Sequence, residues 1–134
     1  MIVGDTSYII QAILRDASLL EDETVIAPDL TLYKTVNTLW KHGTMLQDLE
    51  GSSARIDLLL EMVSAGIIQL VRPDEALVKD TYALSVRYGT PVHDMVYVAL
   101  ALELGLELKT FDDKQASIMS KERRGSSSWR HVQR

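Results

Sequence analysis

A helix that is apolar all the way round must be covered all the way round. Val92 to Leu104 is apolar on nearly every face at helical spacing, so this segment is predicted to be a buried helix. Short apolar runs set the frame around it. Ile2-Val3, closing near Gly4, Val25-Ile26-Ala27, Ile67 to Val71 and Leu106 to Lys109 each read as a strand. Segments of helical period lie between them. Ile9, Ile10, Ile13 and Leu14 follow Thr6 and Ser7, either of which can cap a helix. Pro28-Asp29 opens a second helix to about Lys41, with Gly43 as its stop. Gly51-Ser52-Ser53 reads as a break, with Ser53 capping the stripe Ile56, Leu59, Leu60 and Val63 that Gly66 ends. Pro73-Asp74-Glu75 starts a further helix, its acids placed where the dipole favours them, and Gly89 ends it. A short helix to about Met119, a polar loop from Lys121 to Ser128 and a last short strand from Trp129 to Val132 complete the chain. Strands alternating with helices imply an α/β domain with a largely parallel sheet flanked by helices. The length of 134 residues fits one domain over 1–134.

Composition narrows the chemistry. There is no cysteine, so disulfides, zinc knuckles, iron–sulfur ligation and thiol catalysis are excluded. Three scattered histidines (His42, His93, His131) do not suggest a histidine zinc site. The longest apolar run, Met95 to Leu102, is too short to cross a bilayer, and Met1 to Asp5 lack a basic leader, so the expected compartment is the cytoplasm. Charge is unevenly spread. Residues 1–120 hold 9 basic and 18 acidic side chains, whereas residues 121–134 hold 5 basic and 1 acidic. An acidic body argues against broad nucleic-acid binding, since phosphate contacts need clustered cations. The tail residues Lys121, Arg123, Arg124, Arg130 and Arg134 can reach phosphates or simply form a solvated end.

The acids carry the functional signal. In a parallel α/β sheet, ligands bind outside the carboxyl ends of the strands. Asp5-Thr6-Ser7 follows the first strand and Thr110-Phe111-Asp112-Asp113 the fourth, so both are expected on one sheet edge. Asp94 opens the apolar helix, a costly place for a lone carboxylate. Each of the three can be a helix cap. Gathered at one edge, they would repel unless a cation sat among them. Mg²⁺ or Mn²⁺, with oxygen ligands, suits such a site, and hydroxyls such as Ser7 and Thr110 beside it suit phosphodiester hydrolysis.

Four segments, in order, resemble those of PIN domains, the fold of VapC-type toxins. They are Met1-Ile-Val-Gly-Asp5-Thr-Ser7, Ala27-Pro-Asp-Leu-Thr-Leu-Tyr33 with Asn37-Thr-Leu-Trp40, Gly89 to Ala101 around Asp94, and Leu108-Lys-Thr110-Phe-Asp112. The resemblance runs over residues 1 to about 119. It implies a three-layer α/β/α domain, a Mg²⁺- or Mn²⁺-dependent ribonuclease, frequent homodimers and a small antitoxin partner. By position, Asp5, Asp94 and Asp112 match three metal-site acids, Ser7 and Thr110 the accompanying hydroxyls, and Asn37 the amide after the second acid. Asp113 is a substitute ligand beside Asp112.

The second acid itself is missing. The family segment Leu-Tyr-Glu-x-x-Asn reads Leu32-Tyr33-Lys34-Thr35-Val36-Asn37 here. Lys34 shares a helix face with Asn37 and is expected to point toward the acids, while Leu32, Tyr33, Val36, Leu39 and Trp40 are expected on the other side. Three carboxylates and one ammonium leave a charge of −2 in place of −4. A unit pair about 4 Å apart is worth roughly 4 kcal/mol at an effective dielectric of 20, enough to weaken a divalent site severely. The expectation is that Lys34 serves as a built-in cation in a weakened nuclease or a non-catalytic binding module; the alternative is that it snorkels to solvent and the acids keep one ion. His93 reads as a helix-start residue or a proton shuttle. Tyr33 and Trp40 read as core or dimer contacts, with RNA stacking as the rival. The helix over 53–64 reads as packing on the sheet, with a docked partner helix as the rival.

Overall fold

The computed structural model describes the backbone of residues 1–133 and the side chains through Gly125. Four strands, β1 (Ile2–Gly4), β2 (Val25–Pro28), β3 (Ile68–Val71) and β4 (Leu108–Lys109), form one sheet in the order β3-β2-β1-β4. Every pairing is parallel. Six α-helices surround it: α1 (Thr6–Leu14), α2 (Leu30–Met45), α3 (Leu49–Ser64), α4 (Glu75–Tyr88), α5 (Val92–Leu104) and α6 (Asp113–Gln133). A single 3₁₀ turn at Ala17–Leu20 follows α1.

Strand periodicity divides the core into two layers. Ile2, Val25 and Ile68 face Tyr8 and Ile9 of α1 and Leu59 and Met62 of α3. Val3 and Ile26 face the other way, onto α5, α4 and the first turns of α6. Eight consecutive residues of α5, Met95 to Leu102, are buried. The helix is covered by the sheet on one side and by α4 and α6 on the other, as its apolar circumference requires. The three-layer α/β/α arrangement expected from the sequence is therefore the one observed.

Three local readings differ from the structure. Gly43 does not stop α2, which continues to Met45. A Cβ on Gly43 would lie 2.4 Å from the Ser52 Cβ, so the glycine is the point where α2 and α3 cross. Gly51-Ser52-Ser53 does not break the chain, because α3 starts earlier: Asp48 caps it by accepting from the Gly51 N–H at 2.9 Å, and Ser52 Oγ donates to the Leu39 carbonyl at 3.0 Å. Residues 121–132 are neither loop nor strand, since α6 runs on through them. Ile118, Met119 and Glu122 form its buried face. Glu122 accepts from Arg87 at 2.7 Å and from the Tyr88 hydroxyl at 2.8 Å, which ties α6 to α4. Arg123 donates to the Leu106 carbonyl and Arg124 reaches Ser120, whereas the side chains of Arg130 and Arg134 lie outside the described residues.

Candidate active site

Sheet register places the first half of the site. Val3 pairs with Leu108 and Gly4 with Lys109, so Asp5 leaves β1 level with Thr110 leaving β4. The Asp5 N–H still reaches the Lys109 carbonyl at 3.4 Å. Asp5 is 3% exposed, yet both its oxygens are satisfied. Oδ1 accepts from Ser7 Oγ at 2.6 Å and from the Tyr8 N–H at 3.0 Å; Oδ2 accepts from Thr110 Oγ1 at 2.6 Å. The same hydroxyls accept in turn. Phe111 N–H donates to Ser7 Oγ at 2.9 Å, and Asp112 N–H donates to Thr110 Oγ1 at 2.9 Å. Each hydroxyl has spent its single proton on Asp5. Ser7 and Thr110 are therefore brackets that fix a carboxylate and are not themselves set up to attack a phosphate. Asp5, and not Thr6 or Ser7, caps α1.

The second half rests on α2 and α5. Lys34 Nζ lies 3.9 Å from Asp94 Oδ1, donates to the His93 carbonyl at 3.3 Å and sits 5.0 Å above the Tyr97 ring. Lys34 thus points toward Asp94, on the side that its position in the helix implies, and does not snorkel away. Asp94 caps nothing: the N-cap of α5 is Pro91, without a side-chain bond. Partial exposure and the helix dipole accommodate a carboxylate at that helix start, and Lys34 lies beside it as a solvent-screened partner. His93 Nε2 also approaches Asp94 Oδ1, at 3.9 Å.

Tyr97 joins the halves. Its buried hydroxyl lies 2.7 Å from Thr31 Oγ1 and 3.3 Å from Thr6 Oγ1, tying α5 to the first turns of α2 and α1. Burial pushes its ionisation up; the Thr31 and Thr6 bonds offset part of this, and the charges of Asp5 and Asp94 add to it. Both acids thus act on one ring. In the sequence pattern Tyr97 is indistinguishable from the other apolar positions of α5. The available signal was its hydroxyl, which a wholly buried helix must satisfy somewhere.

The remaining candidates are less convergent. Asp112 is exposed, and its Oδ1 accepts from Gln115 N–H at 2.9 Å, capping α6. Asp113 is exposed in the first turn of that helix. Asn37 is exposed on α2 and makes no side-chain hydrogen bond among the described residues. Tyr33 and Trp40 are not core: the buried arc of α2 is Thr31, Thr35, Leu39 and Gly43, and the two aromatics lie outside it.

The donor set is all oxygen, which suits a hard cation such as Mg²⁺ or Mn²⁺. The arrangement does not fit one as it stands. Among the described residues, no three His, Asp or Glu side chains come together closely enough to hold a metal ion. Asp94 is engaged by an ammonium and Asp112 by a helix end.

A parallel sheet, a hydroxyl-bracketed carboxylate where β1 and β4 end, and a second carboxylate on a buried helix define an acid-edged α/β/α domain. The family model described as the PIN domain matches residues 2–120, and the chain belongs to that family. Among curated relatives, it is similar to Ribonuclease VapC3 of Pyrobaculum aerophilum, with 36% identity over 90 residues. The match covers 66% of this chain and 66% of the relative, just under two thirds of its length. Among the described residues, no helix is long and apolar enough to cross a membrane.

Proposed function

We propose that this chain is a VapC-like ribonuclease whose acidic edge is partly neutralised by its own lysine, so that it cleaves RNA more weakly than a site with four acids. Asp5, Asp94 and Asp112 are the residues assigned to the reacting phosphodiester. Ser7 and Thr110 orient Asp5, Lys34 modifies the charge, and the exposed amide of Asn37 is assigned to support ligands or the attacking water. Family membership and likeness to a ribonuclease support the activity. The observation that carries the weakening is the ammonium of Lys34 on the Asp94 carboxylate, at the position where the family resemblance has glutamate. The same resemblance supports Mg²⁺ or Mn²⁺ as the cofactor, a small antitoxin and a second copy as partners, and the cytoplasm as the compartment.

Titration with Mn²⁺ by calorimetry, run beside cleavage of a single-stranded RNA, tests the reading. Lys34→Glu removes a positive and adds a negative charge, and is expected to tighten Mn²⁺ binding at least about tenfold, a change of roughly 1.4 kcal/mol. Cleavage rises with it, and Asp5→Asn abolishes cleavage. Tight Mn²⁺ binding by the unaltered chain would overturn the role given to Lys34. A second reading, a non-catalytic PIN module that binds RNA or protein, is favoured by the want of a three-acid cluster among the described residues. It fails if the unaltered chain cuts RNA and Asp5→Asn does not.

A further inference from the structure

The side of α2 that turns away from the core carries an ordered row of side chains that, Asn37 apart, the acidic site does not use. Tyr33, Asn37, Trp40 and Thr44 fall at i, i+4, i+7 and i+11, which is one helical stripe. All four are exposed, Tyr33 at 78% and Trp40 at 56%. Tyr33 and Trp40 are the two large aromatics that α2 leaves in water. The charge on this helix is unlike that of the rest of the chain. Residues 1–120 carry twice as many acids as bases, yet Leu30–Met45 holds Lys34, Lys41 and His42 and not one carboxylate. Lys41 is exposed and flanks the aromatic row. The row also has a direction, because Lys34, one residue beyond Tyr33, already lies on Asp94.

We infer that this face of α2 is a stacking track for single-stranded RNA, leading from the acidic site along the helix. The inference rests on the ribonuclease reading for its substrate class and adds residues that reading does not contain. Seven helical residues advance about 10.5 Å. That is about three steps of a stacked strand at roughly 3.4 Å each. Tyr33 and Trp40 can therefore each face a base with a short run of nucleotides between them. Stacking on aromatic faces tolerates any base and requires that the base be unpaired. The amide of Asn37, lying between the rings without an intramolecular partner among the described residues, is free to bond a base edge or a ribose hydroxyl. A carboxylate-free helix with Lys41 at its flank can accept phosphates more readily than the acid-rich remainder of residues 1–120. Selection for single strands thus comes from the rings, and placement of the strand across Asp5 and Asp94 comes from where α2 begins.

The test is fluorescence anisotropy of an end-labelled 12-nucleotide RNA of mixed sequence, in EDTA so that the probe stays intact. Tyr33→Ala and Trp40→Ala are each expected to weaken binding about 5- to 100-fold, while Tyr33→Phe and Trp40→Phe keep most of it. The same RNA annealed to its complement is expected to bind more weakly than the single strand. Both side chains are exposed, so neither replacement threatens the fold. Equal binding by the alanine variants, or equal binding of duplex and single strand, would overturn the track and leave the ribonuclease reading standing. Binding that depends on both aromatics, without cleavage by the unaltered chain, would keep the track and remove the nuclease. If sedimentation shows a dimer that Tyr33→Ala and Trp40→Ala dissociate with RNA affinity unchanged, the face is a self-interface and the inference fails.

Discussion

The two carboxylates of the acidic edge are held by different physics. Around Asp5 every contact is short and directional, between 2.6 and 3.0 Å, and nearly closed to water. Around Asp94 the contacts are charge contacts of 3.9 Å, on side chains with 30% and 29% exposure for Lys34 and Asp94. Directional bonds in a dry site fix a group to one place. A long ion pair in partial contact with solvent attracts without fixing, and contributes little to stability. Asp5 is therefore part of the frame, and Asp94 with Lys34 is an adjustable element set against it.

Breaking the frame is expected to have the largest effect. Asp5→Ala leaves two hydroxyls and the Tyr8 N–H without their acceptor and uncaps α1, a loss of about 3 kcal/mol measured by urea unfolding. Tyr97→Phe strikes the joint between the two regions. It strips the partner from Thr31, which is buried, and is expected to cost about 1 to 2 kcal/mol. The same variant changes the alkaline limb of stability. Burial first, and the acids after it, raise the Tyr97 pKa above the ordinary 10.0, so the folded protein holds this proton more tightly than the unfolded chain does. Stability from this group is complete below pH 10 and is lost as pH rises above it. Tyr97→Phe flattens that part of the loss in melts taken between pH 9 and 11. Tyr8 and Tyr88, also raised first by burial, act in the same direction. The smallest effect belongs to Lys34→Met, which should shift unfolding by no more than about 0.5 kcal/mol. A large loss there would erase the contrast between the regions.

The sequence shows the strands and α5 most clearly, because β-branched runs and an all-apolar helix leave few other places to put those residues. It also shows that residues 5 and 110 share an edge and that Lys34 turns toward Asp94. Features decided by pairing across the fold are much less visible. Glu122 looks like one charge in a polar run until Arg87 and Tyr88 are brought to it. Ser52 looks like a loop residue until the Leu39 carbonyl is placed above it. Asp112 has the composition of a ligand and the geometry of a cap. Tyr33 and Trp40 have the spacing of core residues, but the buried arc of α2 lies about a third of a turn away from them, a rotation that the pattern of apolar letters leaves open.

Asp5 holds two offices at once, opening α1 and anchoring the acidic edge. A replacement there that silences chemistry also loosens the architecture, so the two properties cannot drift apart at position 5. Position 34 carries no such double duty: its side chain caps no helix and reaches the acidic edge only through a screened charge contact. On the proposed reading, the charge of the acidic edge can therefore be reset from one position on α2 while the scaffold persists.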